Sequence, residues 1–215
     1  MTKKMIFTVS LVALTLLLQY GCNNPEVADE PVAVEQMEVA VAAEPEATAE
    51  APSESKKFVL RVDCGSYSEY TDKAGNVWKA DQEKTEDNTW GAVYGSVIER
   101  PGLDIPDTDC PIIYESERYS MDAYEFEVPN GKYTVTLHFA ETYEGIYGEG
   151  ERVFNVSING KDVLKDFDPF KEAGEFNKPA VKKFKGIEPV DGKITIGFTY
   201  GVENPQINGI EIVSE

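Results

Sequence analysis

The sequence predicts an all-β domain over residues 56–215, an antiparallel β-sandwich of the jelly-roll type. Three observations lead there. Apolar and polar residues alternate in short runs, most cleanly where Tyr133, Val135, Leu137 and Phe139 interleave with Lys132, Thr134, Thr136 and His138. That period of two gives a strand one dry face and one wet face. Asn130-Gly131, Asn159-Gly160 and Asp191-Gly192 punctuate the runs, and such pairs supply the positive φ angles of tight hairpin turns. No stretch from Phe58 onward carries a helical period, and many short strands over about 155 residues fit a sandwich.

The elements follow in chain order. Phe58 to Val62 alternates, and Pro111 to Tyr119 reads as extended. Residues 82–110 read as a long loop with one short strand near Tyr94. Tyr124 to Val128 precedes Asn130-Gly131, so it is expected to pair antiparallel with the 133–139 strand across a hairpin. After Ala140 the dry pattern stops, and Glu141-Thr-Tyr143 enters a Gly-rich loop at 144–150. A polar and aromatic loop tip on a rigid stem is where binding residues tend to sit. Val153 to Ile158, Ala180 to Phe184, Ile194 to Tyr200 and Ile207 to Val213 complete the strands.

The first 55 residues differ from the rest. Residues 1–22 hold two charges, Lys3 and Lys4, before an apolar and small run from Met5 to Leu18. This is the pattern of a secretory signal peptide, too short for a comfortable membrane span. Leu18-Gln-Tyr-Gly-Cys22 resembles a bacterial lipoprotein processing box with lipidation at Cys22, although Gln19 stands where the box prefers an aliphatic residue. The alternative is an ordinary cleaved signal with an incidental Cys. Residues 23–55 contain nine Asp or Glu, no Lys or Arg, no aromatic residue and four prolines. Such a segment cannot bury enough apolar surface to offset its ordering entropy and is expected to be a disordered, self-repelling tether.

Of the total net charge of −19, residues 56–215 carry −12. Phosphate-backbone binding needs the opposite sign, so nucleic acid is not an expected partner. The chemistry-bearing side chains are sparse. Glu115, Glu117 and Glu141 allow an acid/base pair of the glycosidase kind, but a structural role in ion pairs is the better reading, with Glu117-Arg118 and Glu141 fixing strand ends. The single His138 lies on the wet face of its strand, which makes it a surface residue. With one His and scattered Cys there is neither zinc spacing nor a nucleophile triad. Asp63, Asp72 and Asp81 lack a calcium-loop pattern, so neither metal nor cofactor is expected. Asn155-Val-Ser157 is a formal glycosylation sequon inside a strand, without meaning if the chain is bacterial.

Seven segments resemble the malectin domain in sequence order. They are Val62-Asp-Cys-Gly-Ser66, the Tyr70–Asp81 stretch with Trp78, Ile113-Tyr-Glu-Ser-Glu-Arg-Tyr119, Leu137-His-Phe-Ala-Glu-Thr-Tyr143, Arg152–Gly160, Phe167-Asp-Pro-Phe170 and Glu203–Ile212. Each is weak alone; together they are specific. The resemblance implies a galactose-binding-like sandwich and non-catalytic carbohydrate binding, with glucose-containing or related glycans as partners. In that family, aromatic residues and an acidic residue on loops at one edge hold the sugar. Carried over, the tyrosines fall on Tyr119 and Tyr143 and the acid on Glu203. The aromatic expected after Tyr143 is Glu144 here, for which Tyr147 can compensate. The earliest pocket aromatic falls on Trp90 or Tyr94. A Tyr in a sandwich is more often a core or rim residue, and Tyr114, Tyr124, Tyr133 and Tyr200 are assigned to the core. Tyr119 and Tyr143 instead sit where strands give way to loops.

The whole chain then reads as an extracytoplasmic, lipid-anchored binding module of the bacterial cell envelope. The alternatives are an envelope module for protein or peptide partners and an unrecognised glycoside hydrolase. Because lipid would occupy Cys22, Cys64 and Cys110 remain as an even pair in a secreted domain. The resemblance places both beside the binding edge, so a Cys64–Cys110 disulfide is expected, the alternative being two free thiols.

Overall fold

The computed structural model describes residues 57–215; the signal segment, Cys22 and the acidic tether lie outside the described residues. Fourteen strands follow one another. The first half holds β1 (Val59–Asp63), β2 (Tyr70–Thr71), β3 (Val77–Ala80), β4 (Trp90–Val93), β5 (Ser96–Glu99), β6 (Ser116–Tyr119) and β7 (Ala123–Glu127). The second holds β8 (Tyr133–Ala140), β9 (Val153–Ile158), β10 (Lys161–Phe167), β11 (Pro179–Ile187), β12 (Lys193–Val202), β13 (Gln206–Ile207) and β14 (Gly209–Ser214). A 3-10 turn at Pro111–Tyr114 and one short helix, α1 (Pro169–Ala173), interrupt them.

Two sheets enclose the main core. One has the order β11-β8-β14-β1-β3-β2, the other β10-β9-β12-β7-β4. All their ladders are antiparallel except β1 with β3. The dry faces read from the sequence meet here: Val135, Leu137 and Phe139 of β8, with Ile210 and Ile212 of β14, pack in one fully buried cluster with Phe154, Val156, Ile194, Ile196, Tyr124 and Phe126. A third, small sheet of β13, β6 and β5 stands apart from both ladders.

Several expectations are corrected. β7 and β8 do not form a hairpin, since β7 pairs with β12 and β4 whereas β8 pairs with β11 and β14. Asn159 and Gly160 have φ of 50° and 75°, and Asp191 and Gly192 the same pair of values. Both make true hairpin turns. Asn130 does not adopt a positive φ; instead Tyr133 Oη donates to the Pro129 carbonyl at 2.7 Å and pins a crossing from one sheet to the other.

The 82–110 stretch holds two strands, β4 and β5, reversed at Tyr94 (φ 62°) and Gly95 (φ 92°). Residues 111–114 are a 3-10 turn, not strand. That turn places Ile113 and Tyr114 against Trp78, Ile105 and Ala140 in a second core cluster. The cluster covers one end of the outer face of β8, so His138 is buried rather than at the surface. Its Nδ1 meets Tyr114 Oη at 2.9 Å and its Nε2 meets Glu211 Oε1 at 3.1 Å. Tyr200, assigned to the core, is exposed.

Cys64 and Cys110, the two cysteines among the described residues, are free. Cys64 is fully buried in the main core, while Cys110 is half-buried against the second cluster. They belong to separate apolar clusters, so the expected Cys64–Cys110 disulfide is absent.

Candidate functional site

Strand alternation builds the site. In β6, Glu117 and Tyr119 point to one side and Ser116 and Arg118 to the other, as the period of two requires. Arg118 Nε donates to Asp81 Oδ2 at 2.7 Å. The same oxygen accepts from Gly65 N at 2.7 Å and Tyr124 Oη at 2.9 Å. Asp81 is thus the partner of Arg118, in place of Glu141, and it locks the rear of β6 to the first strand end. Gly65 is required there: its φ is +89°, and a Cβ would lie 2.2 Å from the Glu117 carbonyl oxygen.

On the front side, Tyr119, Tyr143, Glu203 and Asn204 line one cleft together with Ile98, Arg100, Glu117 and Arg152. Its volume of about 240 Å³ falls a little short of the ~300 Å³ at which small-molecule pockets begin. It accommodates a single ring-sized group. Tyr143 is 46% exposed, with its ring open to ligand.

Buried ion pairs hold the walls. Glu141 and Arg152 are both buried, with Nε donating to Oε2 at 2.6 Å. Glu141 Oε1 accepts from the Tyr143 amide at 3.0 Å, which fixes the chain at the base of the tyrosine. Burial raises the Glu141 carboxyl above its ordinary range, and the Arg152 guanidinium opposes that rise. Arg152 Nη1 also donates to the Asn204 carbonyl. Asn204 donates from its backbone and side-chain nitrogens to Glu203 Oε1, each at 3.0 Å. Glu203 itself sits at φ 57°, an unfavourable conformation for a residue with a Cβ and one that tends to persist at functional positions. Its second carboxylate oxygen has no partner among the described residues. Glu117 accepts from Arg100 Nη2 and from Thr142 Oγ1, both at 3.2 Å.

The Asn-Pro-Gln-Ile-Asn run after Glu203 ties the rim to the sheets. Asn208 accepts from Ala140 N at 2.7 Å and donates to the Ser116 carbonyl at 2.7 Å, and Gln206 Nε2 donates to the Ala140 carbonyl at 3.1 Å. The end of β8, which leads to Tyr143, is therefore joined to the start of β6 by side chains and not by a shared ladder, while Tyr119 at the other end of β6 pairs with Gln206 and Ser96.

The structure brings Tyr119, Tyr143 and Glu203 together and leaves the other candidates elsewhere. Trp90 stacks on Phe126 with 6.2 Å between centroids at an interplanar angle of 8°, half-buried on the β4 edge strand. Tyr94 is exposed at the β4–β5 turn, where its carbonyl accepts from Arg118. Glu144 and Tyr147 line a separate depression with Ile146, Phe170, Glu175 and Phe176. Arg100, Arg152, Ile98 and Asn204 were not read from the sequence as cleft residues. The alternation that puts Glu117 beside Tyr119 was visible, but the ion pairs that recruit the two arginines join residues far apart in the chain.

The family comparison agrees with this architecture: the malectin domain family model matches residues 58–210. The chain belongs to the malectin family. Human malectin is 31% identical over 118 residues, which cover 48% of this chain and 40% of that protein. Malectin-B of Xenopus laevis is 29% identical over 117 residues, covering 47% and 42%. The chain thus spans about two fifths of the length of these curated relatives. Among solved structures, a Bacteroides uniformis beta-glucuronidase superposes with a TM-score of 0.66 at 26% identity, over 74% of this chain but 18% of that one. The extracellular domain of Arabidopsis thaliana ANXUR2 superposes with a TM-score of 0.59 at 20% identity, over 72% and 48%, and this likeness is one of fold.

Proposed function

We propose that this malectin domain binds carbohydrate without transforming it, taking one ring of a glucose-containing or related glycan into the cleft between Tyr119 and Tyr143. The observation that carries the reading is the convergence of two tyrosines and Glu203 on a single ring-sized cleft. A pyranose has apolar C–H faces and a rim of hydroxyls, which suits an aromatic wall beside a carboxylate oxygen left free to accept. The non-catalytic reading rests on the carboxylates. A glycosidase needs two of them facing the scissile bond. Here Glu141 is wholly buried and committed to Arg152, and Glu117 is buried and committed to Arg100.

In the same reading Cys22 carries lipid, residues 23–55 form the tether, and the domain is displayed outside the cytoplasm. A glycan array probed with the full chain tests the binding; a signal on neutral hexose oligomers supports it, and one confined to peptide or protein ligands overturns it. Detergent partitioning in the producing cell, lost in Cys22→Ser, tests the anchor. Unchanged partitioning of that variant counts against lipidation.

A further inference from the structure

A sheet edge presents unpaired backbone groups, and proteins shorten, bend or cover it. Most edges of this domain are treated in that way. β2 and β13 have two residues each and β5 has four. Beside β4, Ala92 N donates to the Gln82 carbonyl at 2.9 Å and the Ala92 carbonyl accepts from Lys84 N at 2.8 Å, so residues 82–84 cover that edge. β10 is broken by two register shifts. β11 differs: it runs in one unbroken register along β8 from Pro179 to Phe184, and β8 is its only ladder neighbour among the described residues.

The open side of β11 can be assigned residue by residue. Along β8 and its approach, even-numbered residues face β14, because the Lys132 carbonyl accepts from Glu215 N at 2.8 Å and the His138 carbonyl from Asn208 N at 3.0 Å. Val135, Leu137 and Phe139 therefore bond toward β11, where they stand opposite Phe184, Lys182 and Ala180. Successive residues of a strand turn their backbone groups to opposite sides. Val181 and Lys183 thus direct N–H and C=O outward.

The two faces beside this edge differ in chemistry. On one, Val181 is 48% exposed, and Lys183 and Lys185 are exposed without an ion pair among the described residues. Residues 176–187 hold four lysines and no Asp or Glu, in a domain whose net charge is −12. On the other face a groove of about 400 Å³ runs between β11 and β10. There Lys182 Nζ lies 5.7 Å from the centroid of the Phe167 ring, and half-buried Leu164 packs against the main core.

We infer that β11 accepts an extended acidic peptide segment as an added strand, one in which acidic and apolar residues alternate. Main-chain bonds to Val181 and Lys183 supply the affinity, and alternate side chains supply the selectivity. Residues opposite Val181 and Lys183 set their carboxylates beside Lys183 and Lys185, while the residues between them lay apolar side chains over Leu164 in the groove. None of the cleft residues takes part. A second copy of the chain is a poor occupant, since antiparallel pairing of β11 with itself about Lys182 or Lys183 opposes like charges.

The test is fluorescence anisotropy of a labelled heptapeptide, Glu-Val-Glu-Val-Glu-Val-Glu, titrated with the full chain, beside a counterpart with Lys in place of Glu. Saturable binding of the acidic peptide is expected, at least about tenfold tighter than that of the basic one. Methylating the amide nitrogens of its inner glutamates, which face β11, should weaken binding at least about tenfold, whereas methylating those of the valines, which face solvent, should change it less than about threefold. Val181→Pro removes an outward donor at an edge position, where proline is tolerated. Lys183→Glu reverses a charge and leaves the ladder intact, which keeps the test open if the proline variant does not fold. Each folded variant should bind at least about tenfold more weakly, and Lys73→Glu, in the turn between β2 and β3, should match the parent within about twofold. Absence of saturable binding by the acidic peptide, or parent-like binding by folded Lys183→Glu, overturns the inference. Equal binding of the two methylated peptides would show attraction by bulk charge, as toward a sulfated polysaccharide or an anionic lipid surface, and overturns it as well.

Discussion

Replacing Arg152 by Met isolates the interaction on which the cleft depends. Arg152 and Glu141 have side-chain exposures of 3% and 0%, and their Nε–Oε2 distance is 2.6 Å. Removing one member of such a pair leaves an uncompensated buried charge, which costs about 3–5 kcal/mol. The Asn204 carbonyl, which accepts from Arg152 Nη1, loses a donor as well, adding on the order of 1 kcal/mol. For a domain of this size the total corresponds to a fall of roughly 10–20 °C in Tm. The pH dependence identifies the cause. Burial already raises the Glu141 carboxyl, and the variant loses the guanidinium that opposes the rise. A group raised in the folded state favours folding when protonated, and that contribution is lost as pH climbs through the folded pKa. The deficit of Arg152→Met should therefore shrink as pH falls, and Glu141→Gln in the same chain should recover part of it at neutral pH. Thermal unfolding by circular dichroism at several pH values reads both effects. A deficit below about 1 kcal/mol, or one that does not change with pH, would refute the reasoning.

Three further outcomes are expected. Asp63 is 1% exposed and burial pushes its carboxyl up to about 7, so stability should decline as pH rises from about 4 to about 7 by as much as ~4 kcal/mol. Asp63→Asn, which keeps an acceptor for Ser116 Oγ, should flatten that decline and stabilise the domain at pH 8; a variant with the parent's pH profile counts against it. Gly145→Ala should weaken glycan binding while leaving stability within about 1 kcal/mol of the parent's, because a Cβ there would lie 2.5 Å from the Tyr143 ring in an exposed loop. Unaltered binding would show that the ring can move freely. Burial raises both the Cys64 and Cys110 thiols, so both should resist alkylation in the native domain and react once it is unfolded without reductant; protection after unfolding would indicate a bond between them.

The alternating strands were legible because a period of two reports which face is dry, and β8, β9 and β12 carry it plainly. It does not report the partner. Tyr124–Val128 and Tyr133–Phe139 both alternate and are separated by an Asn-Gly pair, yet Pro129 and the Tyr133 hydroxyl send the chain into the opposite sheet. His138 looked solvent-facing because the segment that covers it, around Ile105 to Tyr114, is rich in Asp and Pro and has no period. Tyr119, Tyr143 and Glu203 could be placed from their segments. Arg100 and Arg152 could not, because a charged residue in an acidic chain is read as solvated until the fold shows which carboxylate it neutralises. The same limit hid Asp81, whose one oxygen collects three donors from β6, β7 and the turn after β1.

The central claim is that Tyr119 and Tyr143 form the walls of a sugar site, and calorimetric titration of the full chain with a neutral hexose oligomer that it retains on an array addresses it most directly. Tyr119→Ala and Tyr143→Ala should each weaken that binding by about 1–3 kcal/mol, with the thermal unfolding of Tyr143→Ala close to the parent's because that residue is 46% exposed and outside the core. Affinity equal to the parent's in both folded variants would contradict the account.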